Sequence, residues 1–374
     1  TAAGIGNEPG RPEGFATRLC IQPAVCYPGG MNTTFRAIRA RENQANDQKP
    51  QVTGNLETCD VDELPPGEVV VRVEYSSINY KDALSLVGNR GVTKTYPHTP
   101  GIDAAGVVES APEGGLAPGT PVIVSGYDLG MNTWGGYSEL IRVPAGWVVP
   151  MPSGLTARAA MAYGTAGYTA ALSVERLERA IRPGGGAVPE GPVAVSGASG
   201  GVGSVAVAML AGLGYHVVAS TGKAGDPTTE QWLRSLGASE VVSREELEGE
   251  VKRPLFKSRW TGAIDTTGGT ILAGLVKAAA YGAAVTSCGL TQSGDLPLSV
   301  FPFILRGVQL LGVDSVENPI GERRRIWERI ATDLRQVKIE AEAHEIVLAD
   351  VPSTAATLLD GTHSGRTVVR VSGE

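Results

Sequence analysis

Residues 192–203, Pro-Val-Ala-Val-Ser-Gly-Ala-Ser-Gly-Gly-Val-Gly, constrain the fold more than any other stretch of the chain. An apolar strand runs straight into Gly197, Gly200 and Gly203, and a helix of small and apolar residues opens inside the loop. Missing side chains let the backbone turn sharply, and the helix that follows needs a partner for its free N–H groups. A regular alternation continues from there. Strands are expected at 193–196, 216–221, 240–243, 263–267, 283–288 and 308–313, with helices at 202–213, 228–236 and 270–280. Strands that alternate with helices form a parallel sheet covered on both faces, and right-handed crossovers make a doubly wound α/β domain the economical arrangement.

The rest of the chain reads differently. A first strand is expected at 35–41, and apolar stretches at 69–73, 104–108, 122–124 and 137–143 are separated by Gly/Pro turns. That pattern predicts a compact β-barrel or sandwich with one or two helices, the first starting near Lys81. An alanine-rich helix is expected at 156–179. Beyond the alternating region come a charged helix at 323–335, a strand at 344–348, a helix at 351–359 and a closing strand at 366–371. These cannot extend a parallel sheet, so they are assigned back to the β-rich part. The expected organisation is a flexible extension over 1–30, a β-rich domain over 31–155, an inserted doubly wound domain over 156–313 and a return to the first domain over 314–374. A length of 374 residues suits two domains, and the cleft between them is the default ligand site.

Composition excludes some classes of partner. A formal net charge of -7 disfavours nucleic acid and anionic membrane surfaces, although a local basic pocket can still hold a phosphorylated ligand. No apolar run is long enough to span a bilayer. Residues 1–30 lack the apolar core of a signal peptide, so a cytoplasmic protein with a natural start at Met31 is expected. Cys20, Cys26, Cys59 and Cys288 form no CxxC pair and have no histidine at ligand spacing. Reduced thiols are expected; a Cys20–Cys26 pair within the tail is the alternative.

The glycine loop suits a pyrophosphate. Its backbone can approach closely, and a helix N-terminus supplies N–H donors and a positive dipole end. The next strand distinguishes between the two nicotinamide dinucleotides. A site for NAD usually ends that strand with a carboxylate for the ribose 2′-hydroxyl. Here it ends Ala219-Ser220-Thr221-Gly222-Lys223, with hydroxyls and a lysine instead. Those groups suit a 2′-phosphate, which an acid would repel. Arg244, after the third strand, can close the same pocket, so NADPH is the expected cofactor.

Asn79-Tyr80-Lys81-Asp82-Ala83-Leu84 and Pro100-Gly101-Ile102-Asp103-Ala104-Ala105-Gly106 resemble the medium-chain dehydrogenase/reductase superfamily in its zinc-free quinone-oxidoreductase branch, and more narrowly the NADPH-dependent acrylyl-CoA reductase group. Trp134-Gly135-Gly136, Gly164-Thr165-Ala166-Gly167, Asp265-Thr266-Thr267-Gly268-Gly269, Cys288-Gly289-Leu290, Pro302–Gly307 and Gly312–Val316 follow in family order. The resemblance covers the chain from about residue 35 to its end. It implies a GroES-like catalytic domain with a Rossmann domain inserted in it, and a homodimer. By position it implies NADPH contacts at Tyr80, Ser199, Gly200, Gly201, Val202, Thr221, Gly222, Lys223, Arg244, Leu290, Ile304 and Ser315. The family usually carries arginine where this chain has Lys223, and a further family contact falls on Gly361, which has no side chain. Zinc relatives carry a cysteine on the early loop, a Gly-His-Glu element and a four-cysteine lobe. Here the matching stretches read Asn79–Asp82 and Gly101-Ile102-Asp103, and the lobe is missing.

The chemistry expected from this resemblance is reduction of the C=C bond of an α,β-unsaturated thioester, which needs no metal to polarise an alkoxide. Tyr80 and Asn79 are the candidate catalytic residues, with Asp82 orienting the loop or capping the next helix. Tyr80 would polarise the carbonyl or position the nicotinamide; a packed tyrosine with a satisfied hydroxyl is the structural alternative. Arg306 and Arg323-Arg324-Arg325 are candidates for coenzyme A phosphates, against structural pairing for the first and a solvated charged face for the run. Two other functions fit the same sequence: a quinone or enone reductase, and an NADPH-binding protein without turnover.

Overall fold

The computed structural model describes residues 34–43, 51–249 and 252–373. The expected extension over 1–30, the start at Met31, and Cys20 and Cys26 lie outside the described residues.

Two large sheets organise the chain, beside a separate two-stranded sheet in which β1 (Thr34–Asn43) pairs with β2 (Gln51–Asp60). The first large sheet takes β3 (Val69–Ser77), β4 (Asp103–Ser110), β5 (Pro121–Ser125), β6 (Leu140–Val143) and β7 (Val148–Pro150). Helix α1 (Tyr80–Leu86) lies between β3 and β4, and α2 (Ala157–Ile181) leads out of this region. The second sheet is built from β8 (Pro192–Val195), α3 (Gly201–Gly212), β9 (His216–Thr221), α4 (Pro227–Ser235), β10 (Glu240–Ser243) and α5 (Glu245–Glu248). It continues with β11 (Trp260–Asp265), α6 (Gly269–Lys277), β12 (Ala279–Ser287), α7 (Phe301–Arg306) and β13 (Gln309–Gly312). The chain then runs through α8 (Ile320–Ala331), α9 (Val337–Glu342), β14 (His344–Val347), α10 (Val351–Leu359) and β15 (Thr367–Arg370).

The second sheet is six strands in the order β10-β9-β8-β11-β12-β13, every pairing parallel. The order reverses at β8, so ligands of such a sheet gather outside the carboxyl ends near that strand. The other sheet runs β14-β15-β3-β4-β5-β7, with β6 on β3. Thus β14 and β15 do return to the first part of the chain, and the doubly wound unit is inserted.

Helix α2 belongs to neither sheet alone. Its alanines, Tyr163, Tyr168 and Leu177 share one apolar cluster with Ala105, Ile123 and Val149 on one side and Val193, Val195 and Ile264 on the other. The sequence predicts one unbroken helix here, but the chain breaks at Gly164, where φ is +52°. A side chain there would stand 2.6 Å from Asp103 Oδ2 and from Ser77 Oγ, so only glycine fits. Other corrections are local. The sequence reading has no counterpart to β2, α5, α7 or α9; the helix expected at 270–280 ends at Lys277 because β12 already begins at Ala279; and the charged helix starts at Ile320 rather than 323.

Candidate active site

The phosphate loop forms as its glycines require. Gly197 has φ +59°, and a Cβ on Gly203 would run into the Gly197 carbonyl, so the first turn of α3 packs directly on the strand end. Ser199 Oγ lies 2.8 Å from Thr221 Oγ1, which also accepts the Lys223 backbone N–H at 3.1 Å. Ser243 on β10 is in register with Thr221, and this brings Arg244 beside Gly222: its guanidinium carbon lies 3.3 Å from where a Gly222 Cβ would be. The end of β9 therefore presents an exposed glycine, a hydroxyl and a half-exposed arginine, whose Nε reaches Glu245 at 3.3 Å. Lys223 is differently placed. Its ammonium donates to Thr362 O, His363 O and Ser364 Oγ at 3.2, 3.1 and 2.6 Å. Gly365 N–H of the same segment donates to Ser199 O at 3.2 Å.

A second cluster lies across α1, β4 and the break in α2. Asp103 is fully buried, and its carboxylate accepts from Ser77 Oγ (2.6 Å), Asn79 Nδ2 (2.8 Å), Thr165 N (2.8 Å) and Thr165 Oγ1 (2.7 Å). Asp82, also buried, accepts from Asn79 N at 3.0 Å, Gly101 N at 3.1 Å and Ile102 N at 2.9 Å. It thus caps α1 and at the same time holds the Gly101–Ile102 loop. Burial and the neighbouring Asp103 push Asp82 up to about 7, against the hydrogen bonds from Ile102, Tyr137 and Asn79. Burial also pushes Tyr137 well above the ordinary phenol range.

Arg366 completes this cluster, and nothing in the sequence marks it. Its Nε donates to Ala162 O at 2.9 Å, and its Nη1 lies 3.4 Å from Ile78 O and 3.5 Å from Asn79 Oδ1. Nη2 is buried without a partner among the described residues, near the space that Gly164 leaves open. On its other side, Nη1 is 3.1 Å from where a Gly201 Cβ would be. The guanidinium therefore stands between the carboxylate cluster and the first residue of α3.

The structure brings most of the expected residues together in two groups. Gly200, Gly201 and Val202 open α3 beside Ser199, with Thr221, Gly222, Lys223 and Arg244 alongside. Leu290 flanks a cleft of 420 Å³ at the carboxyl ends of β12 and β13, shared with Cys288 and Gly312–Asp314. Ser315 follows directly, whereas Ile304 sits on α7 and is not among the residues lining that cleft. Burial pushes the Cys288 thiol up to about 12, so it is a poor nucleophile. Asn79 is 8 % exposed, and its amide is spent on Asp103, Asp82 and Ser77; Tyr80, the first residue of α1, is 47 % exposed.

The arginine candidates for coenzyme A fare differently. Arg306 donates to the carbonyls of Lys277, Ala279 and Phe256, which is structural pairing. Arg323 is buried rather than on a solvated face, Arg325 pairs with Glu175 and Glu322, and only Arg324 of the run is exposed.

Residues 65–153 match the alcohol dehydrogenase GroES-like domain, and 201–332 match the zinc-binding dehydrogenase family. Over 339 residues, 90 % of this chain and 99 % of the relative, the sequence is 46 % identical to the acrylyl-CoA reductase AcuI of Ruegeria pomeroyi. The chain belongs to the medium-chain dehydrogenase/reductase superfamily. Within the superfamily it is also 43 % identical to the putative quinone oxidoreductase YhfP of Bacillus subtilis, across 91 % of this chain and 100 % of the relative. The crystal structure of that protein with NAD bound superposes with a TM-score of 0.84. The yhdH oxidoreductase from Salmonella enterica in complex with NADP superposes at 0.83 with 41 % identity, covering 90 % of this chain and all of the other.

The superfamily also contains zinc enzymes, and the donor set here does not suit that metal. No three His, Cys, Asp or Glu side chains converge among the described residues, Ile102 is apolar, and the Asp103 oxygens already take four internal donors. The residues do fit a nicotinamide dinucleotide with a 2′-phosphate. The phosphate loop is open to backbone approach, and the end of β9 carries no carboxylate and has Arg244 beside it. Among the described residues no helix is long and apolar enough to cross a membrane.

Proposed function

We propose that this medium-chain reductase is an NADPH-dependent enoyl-thioester reductase, converting acrylyl-CoA to propionyl-CoA. The observation that carries this reading is the near-full-length similarity to an acrylyl-CoA reductase in a chain whose β9 ends with Arg244 beside Gly222 and no carboxylate. Ser199, Gly200, Gly201 and Val202 hold the pyrophosphate, and Thr221, Gly222, Lys223 and Arg244 hold the ribose phosphate. Tyr80, Leu290, Ile304 and Ser315 line the nicotinamide end. NADPH, when bound there, would supply the hydride that the β-carbon of the alkene needs, and the α-carbon would take a proton.

The protein's own share of the chemistry is alignment, charge stabilisation and exclusion of water. Tyr80 has a half-exposed ring and a hydroxyl available to polarise the thioester carbonyl or to position the nicotinamide. Asn79, with its amide tied down, holds Tyr80 at the start of α1. For the described residues the spans read from the sequence as 31–155, 156–313 and 314–374 are retained, with α2 as the element shared between the two sheets. The open edge of β13 and the exposed Phe301, Ile304 and Leu305 of α7 support a homodimer, and the enzyme is assigned to the cytoplasm.

A second reading, quinone or enone reduction, is favoured by the similarity to YhfP. Following NADPH oxidation with acrylyl-CoA, crotonyl-CoA and a quinone in parallel separates the two. Turnover of the thioesters supports the proposal; turnover of quinone alone replaces it with the second reading. No turnover with any of the three marks a nucleotide-binding protein.

A further inference from the structure

Arg323, on α8, is 1 % exposed and has no carboxylate partner among the described residues. Its Nη2 donates to Ser315 O at 2.9 Å and Val316 O at 3.0 Å, and its Nη1 reaches Ser125 Oγ at 3.3 Å. The guanidinium carbon sits 4.8 Å from the Tyr127 ring centre and 4.7 Å from that of Tyr168, so two aromatic faces take the place of an anion. Nε remains buried without a partner among the described residues. A leucine or methionine would fill this space without desolvating a cation, so packing alone does not account for an arginine here.

The groups it touches come from both sheets. Ser125 closes β5 and is in register with Asp103 on β4, the centre of the carboxylate cluster. Gly126 and Tyr127 follow at φ +76° and +51°; for tyrosine that is a strained conformation which the surroundings must hold. A Cβ at Gly126 would collide with the Arg323 guanidinium. The turn is fastened at its other face as well. Tyr127 N–H donates to Val316 O at 2.9 Å, Tyr127 OH to Asn318 O at 3.2 Å, and Asn318 Nδ2 to Tyr168 OH at 2.7 Å. Residues 315–318 connect the end of β13 to α8, on the way back to β14 of the first sheet.

We propose that Arg323 is a positioning residue: it clamps Ser315–Val316, at the exit of the nucleotide-binding sheet, onto the strained Gly126–Tyr127 turn of the other sheet. The clamp fixes where the nicotinamide end stands relative to Asn79 and Tyr80. Its catalytic consequence rests on the function proposed above, whereas the clamp itself does not.

Two measurements on the full chain test it. In the nucleotide-free protein, Arg323→Met raises amide hydrogen exchange in peptides covering 125–129 and 313–319 by about tenfold, with exchange in β8 and the start of α3 unchanged. With NADPH, the same variant binds the nucleotide, by fluorescence titration, within about threefold of the parent but loses about 10–100-fold in kcat, as a misplaced reacting pair should. Arg323→Lys, which keeps the charge but not the fork, falls between the two. If Arg323→Met does not fold, Ser125→Ala removes one contact and must raise exchange in the same two peptides. Unchanged exchange there, or a kcat loss no larger than the loss of folded protein, overturns the clamp. If the parent protein reduces neither thioester nor quinone, the functional reading fails and the exchange result alone decides the clamp.

Discussion

The two halves of the candidate site are built by opposite means. At the phosphate loop the working surface is backbone, with Gly200 and Gly222 exposed and Arg244 reaching over them. At the Asp103 cluster the working parts are side chains, buried and already matched to one another: Ser77, Asn79, Asp82, Thr165 and Arg366. The first half is shaped to receive a charged ligand from solvent. The second half is pre-assembled, and its carboxylates have no capacity left for a new partner. Under the proposed function this separates binding from alignment; Arg366 is the buried cation between the two halves, and Arg323 fastens Ser315–Val316 to the Gly126–Tyr127 turn.

Five substitutions can break or sharpen that contrast. Asp103→Ala strands four donors and the nearby Arg366 in a dry interior, and should cost about 3–5 kcal/mol, read as a fall in the denaturant midpoint. A loss below about 1 kcal/mol would mean that the cluster relaxes and is not pre-assembled. Gly203→Ala pushes a Cβ against the Gly197 carbonyl and displaces the loop. NADPH affinity should weaken by about 2–3 kcal/mol, or roughly 30–150-fold, with thermal stability less affected than in Asp103→Ala. Together the pair reverses the order of effects on stability and on binding.

Arg244→Ala should raise KM for NADPH about tenfold and leave KM for NADH unchanged, since only the 2′-phosphate is lost. Lys223→Ala should raise both, because that ammonium also holds Thr362, His363 and Ser364 in place. Identical selectivity changes in the two variants would contradict this division of labour. The smallest effect concerns Asp82. Its folded-state pKa of about 7 lies above that of the unfolded chain, so the folded protein binds the proton more tightly and stability falls as pH rises toward 7. Asp82→Asn should flatten the fall of Tm between pH 5 and about 8; an unchanged slope would assign the dependence to another group.

How much could be read from the sequence follows the same division. The strands at His216–Thr221 and Glu240–Ser243 and the helix at Val351–Leu359 match expectation at both ends, because glycines and apolar runs mark them locally. Strand β2 leaves no such mark: nearly all of Gln51–Asp60 is exposed or half-exposed, and its pairing with β1 supplies the order. The break at Gly164 is hidden in an alanine-rich helical pattern, since its cause is Asp103, sixty-one residues earlier in the chain. Asn79, Tyr80 and the phosphate loop are legible as motifs. Arg366 and Arg323 are not, because a buried cation next to a glycine and a carbonyl looks in sequence like any surface arginine. The Arg323-Arg324-Arg325 run is the clearest case: adjacent identical residues point in different directions on α8, and one of them is interior.

The most direct test of the central claim follows the transferred hydrogen. NADPH deuterated at the transferring position of the nicotinamide is incubated with acrylyl-CoA and the enzyme, and the product is read by mass spectrometry and NMR. The account predicts propionyl-CoA carrying one deuterium on its terminal carbon, with the hydrogen at the α-carbon drawn from solvent. Deuterium at the α-carbon, or oxidation of the nucleotide without any deuterated propionyl-CoA, would contradict it.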